Sequence, residues 1–574
     1  MKSIISEIKH YNFNKLIDIS FFLLVLFLGC IRFLNIGQQS PWLDEIYTLI
    51  DSNPNLSFKE IFDNITKNEV HPPIYFVLIY YYFKIFGYSI EILRFFSAFF
   101  GILCLILTYI SVKNYFNKQS AQIGTLFLSV NSAFMGFSHE GRSYTFLIFF
   151  YICSFLLLHK SVNYNKTIFY TLLIVVNLIL LYSTYFSVFI VFSQFLFIVY
   201  LYFFKDKKYK KLIYFYILLA IMYIPWIPYT FEGAKFTDSW IKKPNVRDLI
   251  FFSWNFLFPN IFLKVMIFLF FIFGVFRGFL KNKTQINAIL ISWIVGFCLF
   301  SYLFSIIFVP IIAWKYSIFI LCPIIFIVSF GISEIRFAIL KLLILAGFVI
   351  TSLYLTFWKY SDNYKVSKPE NYYLLDFIYR TNLYLPTICY EKRTIEWVVD
   401  RFNYNINCIE FKKLEDSHDS IKNTLLKNGW WELRVHRPFL TDNLRRTLKF
   451  NDSLVHFNYS NFSSLDLWIP RRKVIQLSNQ IKRNDTIFYA YNSEKKSKIK
   501  FIFSVKSNLI HYDDSRLSLI LNGQEQTFRL NYLSGIYSAE FFVDKPHFTI
   551  VLTASRPSVL ENIQIQNFIC ISEN

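Results

Sequence analysis

The stretch "PPIYFVLIYYYFKIF", residues 72–86, decides how the chain passes through a membrane. It is apolar, but its fifteen residues fall short of the about 17 to 25 that a transmembrane helix needs, and it begins with two prolines. If it spanned, His71 and Glu140 would lie on opposite faces, and the basic cluster at 113–118 would lie outside, against the positive-inside rule. We therefore predict that this segment lies along the outer face, within a first loop of about 37–90.

Apolar runs long enough to cross a bilayer recur on both sides of this segment, as far as about residue 358. The 574 residues are 55% hydrophobic and 21% aromatic, and the mean hydropathy is positive. The composition predicts a polytopic α-helical membrane protein, and the basic clusters between the runs mark the cytoplasmic side. About eleven spans follow, near 17–36, 91–112, 121–137, 144–159, 167–183, 186–204, 212–228, 260–280, 286–308, 316–333 and 338–358.

Two features of the chain have competing explanations. The run 17–36 has a basic start like that of a signal peptide, but it is long and has no clear small-x-small cleavage site, which favours a retained first span. The net charge of +21 is a feature of nucleic-acid-binding proteins. Much of this excess, however, lies in short loops between spans, where Lys and Arg set orientation, so no nucleic-acid partner is predicted.

The chain changes character after about residue 365, where apolar residues become intermittent. Alternating helix and strand patterns, such as "TICYE" (387–391) and "RTIEWVVDRF" (393–402), predict an α/β region over 365–470. Residues 471–574 read as strands, with a hairpin signal at Asn522-Gly523, and predict a β-sandwich. The transmembrane domain then covers 1–360, and both later regions are expected outside the cytoplasm.

The role of the C-terminal regions stays open at the sequence level. The sandwich has no obvious catalytic cluster, so it could support folding, act as a lid or bind carbohydrate. Cys389 and Cys408 could form a disulfide outside the cytoplasm, although Cys570 makes the number of cysteines in this part odd.

With residues 72–86 on the outer surface, ionisable and aromatic side chains converge on one face. Carboxylates can act as a general base or bind a divalent cation, whereas Arg and Lys favour phosphate. A groove between spans can admit a lipid tail. The set suits a lipid-linked phosphate substrate that reacts at the membrane surface. Its members are Asp44, Glu45, His71, Glu140, Arg142, Tyr182, Tyr185 and Lys315.

The motifs that carry these residues follow a recognisable order. They are "WLDE" (42–45), "HPPIYF" (71–76), "SHEGRSYTF" (138–146), "YSTYFSVF" (182–189) and "PIIAWKYSIFILCP" (310–323). This order resembles the bacterial GT-C membrane glycosyltransferases that are related to protein O-mannosyltransferases and to the lipid A aminoarabinose transferase. The resemblance covers roughly residues 15–360.

The resemblance implies a reaction and roles for the acids. A sugar would pass from a polyprenyl-phosphate donor to a lipid, lipopolysaccharide, glycan or protein acceptor, with inversion, on the outer face of the inner (cytoplasmic) membrane. Asp44 matches the general base, and Glu45 completes the acidic pair. Glu140 matches a residue that orients the acceptor or binds a divalent cation, Mg or Mn, and His71 matches one near the donor head group.

The cations and tyrosines follow the family pattern with one departure. Arg142 is a candidate ligand of the donor phosphate, and Tyr144 follows it in the usual pattern. The family often has Arg-Tyr before the late span, whereas this chain has Lys315 and Tyr316. Lysine keeps a charge for the phosphate but lacks the bidentate fork of arginine. The predicted substrate pocket contains Tyr144, Tyr182 and Tyr185.

Two other classes of membrane protein fit part of this pattern. A transporter or lipid flippase also uses intramembrane charges, but such proteins usually have internal repeats and midplane charges, and no repeat is obvious here. A polymerase or ligase of surface polysaccharide would act on a polyprenyl diphosphate, and the order of "LDE" and "HPP" argues against it.

Overall fold

Two compact units make up the chain. In the computed structural model, Met1–Gln39 and Tyr47–Asp362 form the first unit, and Ser40–Ile46 with Asn363–Asn574 form the second. The structure describes residues 18–356 apart from 35, 38–40, 70 and most of 230–256; beyond 370 it describes the helices and strands named below, with short adjoining stretches.

The first unit consists mainly of apolar helices, as in a multi-pass membrane protein. Seven of the predicted spans correspond to helical segments long and apolar enough to cross a bilayer. The count of eleven is confirmed only in part, because the other four are shorter, interrupted or partly outside the described residues. The helices are α1 (18–30), α2 (Leu43–Asp51), α3 (Phe58–Asn68), α4 (Ile74–Phe86), α5 (Ile90–Tyr115), α6 (Lys118–Val130), α7 (Ser132–Ser138), α8 (Tyr144–Tyr164), α9 (Thr167–Leu181), α10 (Phe186–Phe204), α11 (Lys210–Tyr223), α12 (Ile261–Leu280), α13 (Thr284–Ile307), α14 (Leu321–Ser333) and α15 (Ala338–Tyr354).

Successive crossings of the bundle from α5 to α10 run in opposite directions, with α6 and α7 together making one crossing, so their turns fall at two ends. We call these the Glu140 end, which holds the α7–α8 and α9–α10 turns, and the Lys118 end, which holds the α5–α6 and α8–α9 turns. Helix α4 belongs to the Glu140 end along its whole length. The Ile74 N–H donates to the Tyr182 carbonyl (2.9 Å), and first-loop residues bond Phe76 and Tyr80. This helix of 13 residues therefore lies along one end of the bundle; that this end is the outer face stays a prediction.

Helix α14 lies at the centre of the bundle. All its residues are buried, and it packs against α6, α12 and α13. Its closest approach is to α12, where a Cβ added at Gly274 would lie 2.3 Å from the Ile327 carbonyl oxygen. A Cβ added at Gly331 would lie 2.6 Å from the Phe270 carbonyl oxygen. Glycine thus lets these two backbones touch, as small residues do between membrane helices.

A neutral network of buried polar side chains joins α8, α9, α10 and α11. Ser154 Oγ donates to Asn177 Oδ1 (2.5 Å), and Gln194 Nε2 donates to Ser154 Oγ (2.9 Å). The Tyr216 hydroxyl donates to Gln194 Oε1 (2.8 Å), which also accepts from Asn177 Nδ2 (3.1 Å). We call these four residues the neutral network; they satisfy one another across four helices without a formal charge.

The second unit contains an α/β sheet followed by two antiparallel sheets. The first sheet has the order β2-β1-β3-β5-β4, with parallel pairing of β1 to β2 and β3. The other sheets have the orders β10-β9-β12-β7 and β11-β8-β13-β6. The elements are α16 (Asn371–Arg380), β1 (Thr387–Cys389), α17 (Lys392–Phe402), β2 (Cys408–Glu410), β3 (Trp430–Val435), β4 (Ser453–Ser460), β5 (Ser463–Ile469), β6 (Val474–Ile481), β7 (Ile487–Ala490), β8 (Ser497–Ser507), β9 (Arg516–Leu521), β10 (Gln524–Arg529), β11 (Gly535–Val543), β12 (His547–Ala554) and β13 (Ile563–Ser572).

The predicted hairpin is confirmed. Leu521, the last residue of β9, pairs with Gln524, the first residue of β10, so only Asn522 and Gly523 connect the two strands. The two connecting residues themselves lie outside the part of the chain that the structure describes.

The cysteines of the α/β sheet are free thiols in this structure. The pairing register sets Thr387 opposite Cys408 and Cys389 opposite Glu410. A hydrogen bond with the Cys408 thiol, together with burial, raises the pKa of the Cys389 thiol. The two thiols are thus neighbours, and a disulfide between them stays a prediction.

Candidate active site

A short turn between α7 and α8 holds two of the predicted site residues. Glu140 and Arg142 are both buried, each 7% exposed, and the Arg142 N–H donates to the Glu140 carbonyl (2.8 Å). Arg142 Nη1 also donates to Thr48 Oγ1 (2.8 Å), which lies on α2. We call residues 139–143 the Glu140–Arg142 turn. Burying an ionisable group away from water is costly, so two of them in one turn suggest a functional role.

Helix α5 fixes this turn from one side. Ser97 Oγ donates to the Arg142 carbonyl (3.2 Å), and Thr145 Oγ1 donates to the Ser97 carbonyl (2.8 Å). Ser97 is fully buried, so both bonds are shielded from water. The backbone at Arg142 is therefore held whichever way its side chain is engaged.

An aromatic cluster joins the turn to the late motif. The ring of Phe319 lies 6.3 Å from that of Tyr144 and 6.4 Å from that of Tyr316. Phe186 packs on Tyr316, with ring centroids 4.4 Å apart. Lys315 is half-buried, with its Nζ 5.5 Å from the centroid of the Tyr316 ring. The structure thus brings Tyr144 and Tyr316 together around Phe319, and places Lys315 beside the cluster.

His71, Tyr182 and Tyr185 also lie at the Glu140 end. The His71 backbone N–H donates to Glu69 Oε1 (3.2 Å), and the Ile74–Tyr182 bond sets the "HPP" segment against the α9–α10 turn. The Tyr182 hydroxyl donates to the Met222 carbonyl (2.8 Å). The Tyr185 hydroxyl donates to the Tyr229 carbonyl (3.5 Å). Both tyrosines therefore bond to carbonyls in the last turn of α11 or just after this helix. Their role in a substrate pocket stays a prediction.

The acidic pair lies in the first turn of α2. Asp44 is half-buried, whereas Glu45 is fully buried and accepts the Trp42 N–H at Oε2 (3.2 Å). Carboxylates are favoured at a helix N-terminus by the helix dipole. Both residues group with the second compact unit, whereas the other predicted site residues belong to the first. That Asp44 and His71 act on one substrate stays a prediction.

Sequence reasoning missed several residues that the structure brings to this end. Glu69 is almost fully buried and bonds His71; Asp51 is fully buried on α2. Thr48 accepts a hydrogen bond from Arg142. It lies four residues after Asp44 and three after Glu45. An acid two residues before the "HPP" motif was a signal for Glu69. A helical reading of 43–51 would have set Thr48 on the same face as Asp44.

A divalent cation has no preformed cluster in the described part of the chain. No group of three or more His, Cys, Asp and Glu there could hold a metal ion. Mg²⁺, however, commonly takes only one or two carboxylates together with substrate phosphate and water. A cation at Glu140 therefore stays a prediction, and no catalytic step is assigned to it.

A known protein family matches the part of the chain that contains most of these residues. Residues 70–229 match the family model described as dolichyl-phosphate-mannose-protein mannosyltransferase. That stretch contains His71, Glu140, Arg142, Tyr144, Tyr182 and Tyr185. No curated protein matches the sequence.

Solved structures match over a longer range. ArnT from Cupriavidus metallidurans matches in its apo state with a TM-score of 0.51 and when bound to undecaprenyl phosphate with 0.52. Identity is 10%, and each match covers 78% of this chain and 97% of ArnT. The chain has the fold of ArnT. The fold that the motif resemblance implies is thereby confirmed. The Archaeoglobus fulgidus oligosaccharyltransferase, tethered to an acceptor peptide, aligns over 97% of this chain and 96% of its own at 10% identity, but its TM-score of 0.43 is too low to add support.

Proposed function

We propose that this protein is a glycosyltransferase that moves a sugar from a polyprenyl-phosphate donor to a lipid, glycan, lipopolysaccharide or protein acceptor. The reaction is assigned to the outer face of the inner membrane, with the C-terminal unit outside the cytoplasm. The observation that carries the proposal is a buried cation, Arg142, in a turn whose neighbour Tyr144 packs through Phe319 toward Tyr316 and Lys315, at one end of an apolar bundle.

The cationic side chains and the apolar helices suit the two parts of the donor, its phosphate and its polyprenyl tail. Guanidinium and ammonium groups stabilise phosphate charge, and a partly desolvated setting strengthens that interaction. The surrounding helices are apolar and expose large hydrophobic side chains that suit a polyprenyl tail. The family match over 70–229 and the fold shared with ArnT, which was solved with undecaprenyl phosphate, support the same donor class.

The proposed step is a single displacement. Asp44 takes the proton of the acceptor hydroxyl, and the acceptor oxygen forms a bond to the anomeric carbon of the sugar. The bond from that carbon to the phosphate oxygen breaks, and its electron pair leaves on the polyprenyl phosphate. Arg142, Lys315 and His71 stabilise the departing charge. One displacement inverts the anomeric centre, so no protein nucleophile is required.

The test follows the sugar. Membranes that contain the protein receive a panel of undecaprenyl phosphates with radiolabelled sugars, including mannose and aminoarabinose. We then measure the label that leaves the lipid-phosphate fraction. Asp44→Asn is expected to abolish transfer, because an amide cannot accept the proton. The matched control is Glu60→Gln, at an exposed carboxylate of the same first loop, which should transfer normally.

Two outcomes contradict the proposal at different levels. Normal transfer by a well-expressed Asp44→Asn variant would exclude Asp44 as the base while leaving the reaction intact. Failure of the wild-type protein to transfer label from any donor of the panel would contradict the glycosyltransferase assignment itself.

A further inference from the structure

Arg32 is a buried charge that the proposed reaction does not use. It follows α1, in a short 3-10 helix at Ile31–Phe33, and its side chain is 0% exposed. Among the described residues its hydrogen bonds go to two carbonyls and a hydroxyl, and none goes to a carboxylate. A guanidinium taken out of water is costly even when it is hydrogen-bonded, so its presence calls for a reason.

The contacts of Arg32 lie on both sides of a helix break. Nη2 donates to the Ser129 carbonyl (3.1 Å), in the last turn of α6. Nε donates to Ser138 Oγ (3.2 Å), at the last residue of α7. Nη1 donates to the Leu28 carbonyl in α1 (2.8 Å), and the guanidinium lies 5.3 Å from the Phe134 ring centroid. One side chain thus joins α1, α6 and α7.

The break explains why a cation fits there. Helix α6 ends at Val130, and Asn131 caps the start of α7 by accepting the Phe134 N–H (3.0 Å). The last carbonyls of α6 therefore lack donors within their own helix. They also carry the negative end of the helix dipole, which favours a cation. Arg32 meets both needs at Ser129.

Helix α5 closes the site around this contact. A Cβ added at Gly101 would lie 2.7 Å from Ser138 Oγ and 3.2 Å from Arg32 Cδ. Ser138 is held further by donating its hydroxyl to the Phe134 carbonyl (2.8 Å). Little room is left for Ser138 to move, and Glu140 follows two residues later.

We infer that Arg32 is a positioning residue, which holds the α6–α7 break so that the Glu140–Arg142 turn is preformed for the donor phosphate. The inference rests on the proposed function. Arg32 touches no substrate and acts through Ser138 and the backbone that follows it, while Ser97 holds the turn further along, at the Arg142 carbonyl.

The experiment measures binding of undecaprenyl phosphate to the purified full chain in detergent. Arg32→Met is expected to bind about tenfold more weakly, which corresponds to loss of one charge-assisted hydrogen bond. Arg32→Lys keeps the charge with fewer donors and should recover part of the affinity. Ser138→Ala removes one acceptor, leaves Arg32 in place and should weaken binding least.

A second buried polar residue supplies the control. Asn177→Leu disrupts the neutral network and should lower thermal stability without changing the affinity of the folded protein. If the three site variants lose stability but bind as the wild type does, Arg32 is merely structural and the inference is wrong. If the wild-type protein itself does not bind undecaprenyl phosphate, the proposed function falls and this inference falls with it.

Discussion

Two buried polar clusters of the helical bundle differ in how they are satisfied. The neutral network bonds side chain to side chain among four uncharged residues. The second cluster consists of two guanidinium groups, Arg142 of the Glu140–Arg142 turn and Arg32, which donate to carbonyls and hydroxyls of neighbouring segments.

The difference in charge distinguishes a cluster that joins helices from one that is expected to serve the reaction. Uncharged amides and hydroxyls can join membrane helices at moderate cost, and each such bond contributes on the order of 1 kcal/mol. An ionised group at the same depth costs more, by roughly 2.5 to 3.5 kcal/mol on insertion scales. Charge is therefore expected where a substrate needs it, and the neutral network needs no substrate to explain it.

The largest effect is expected from removing the charge of the turn. Arg142→Met should lower sugar transfer by about 100-fold or more, since a donor aimed at developing charge typically contributes that much. Arg142→Lys should retain part of the activity through its charge. The labelled-sugar assay measures both. Wild-type transfer by Arg142→Met would mean that the buried guanidinium only supports the fold, like the neutral network.

The opposite result is expected at the neutral network. Asn177→Leu leaves Ser154 and Gln194 without one partner each and should lower the free energy of unfolding by about 1 to 3 kcal/mol. Thermal unfolding in detergent measures this change. Sugar transfer per folded molecule should match that of the wild type. A loss of transfer without a loss of stability would mean that the neutral network also serves the reaction.

The smallest effect is expected at an exposed carboxylate. Hydrogen bonds from the Ser57 hydroxyl and backbone N–H lower the pKa of Glu60 below its ordinary value of 4.5. The capping box of α3 is therefore fully stabilised above that pH and weakens as the pH falls through the lowered pKa. The protection factor of the amides in the first turn of α3, which corrects for the intrinsic pH dependence of exchange, should fall only in acid. In Glu60→Gln the protection factor should be nearly independent of pH, and an acid-dependent fall there would contradict the assignment.

The sequence predicted the bundle well, because long apolar runs and basic turns are local signals. It also predicted that the segment of α4 lies on the outer face, since its length falls short of an ordinary transmembrane helix. The count of spans was less secure. The predicted span 121–137 is interrupted at Asn131, whose side chain caps a second helix. An interruption of this kind does not change mean hydropathy.

The sequence pointed to the charged residues of the candidate site, but it did not point to the residues that hold them in place. Glu140 and Arg142 stand out because they are charged, whereas Ser97 and Gly101 look like ordinary residues of an apolar helix. Their importance depends on which helices touch, with Arg32 and Ser138 separated by 106 residues in the chain. Contacts of that separation leave no pattern in a single sequence.

The burial of α14 has a consequence for the order of assembly. Its partner α6 ends roughly 200 residues before α14 is complete. At ribosomal rates of about 5 to 20 residues per second, α6 waits on the order of 10 to 40 seconds for the helix that covers it. During synthesis the face of α6 that α14 later covers therefore stays without this partner.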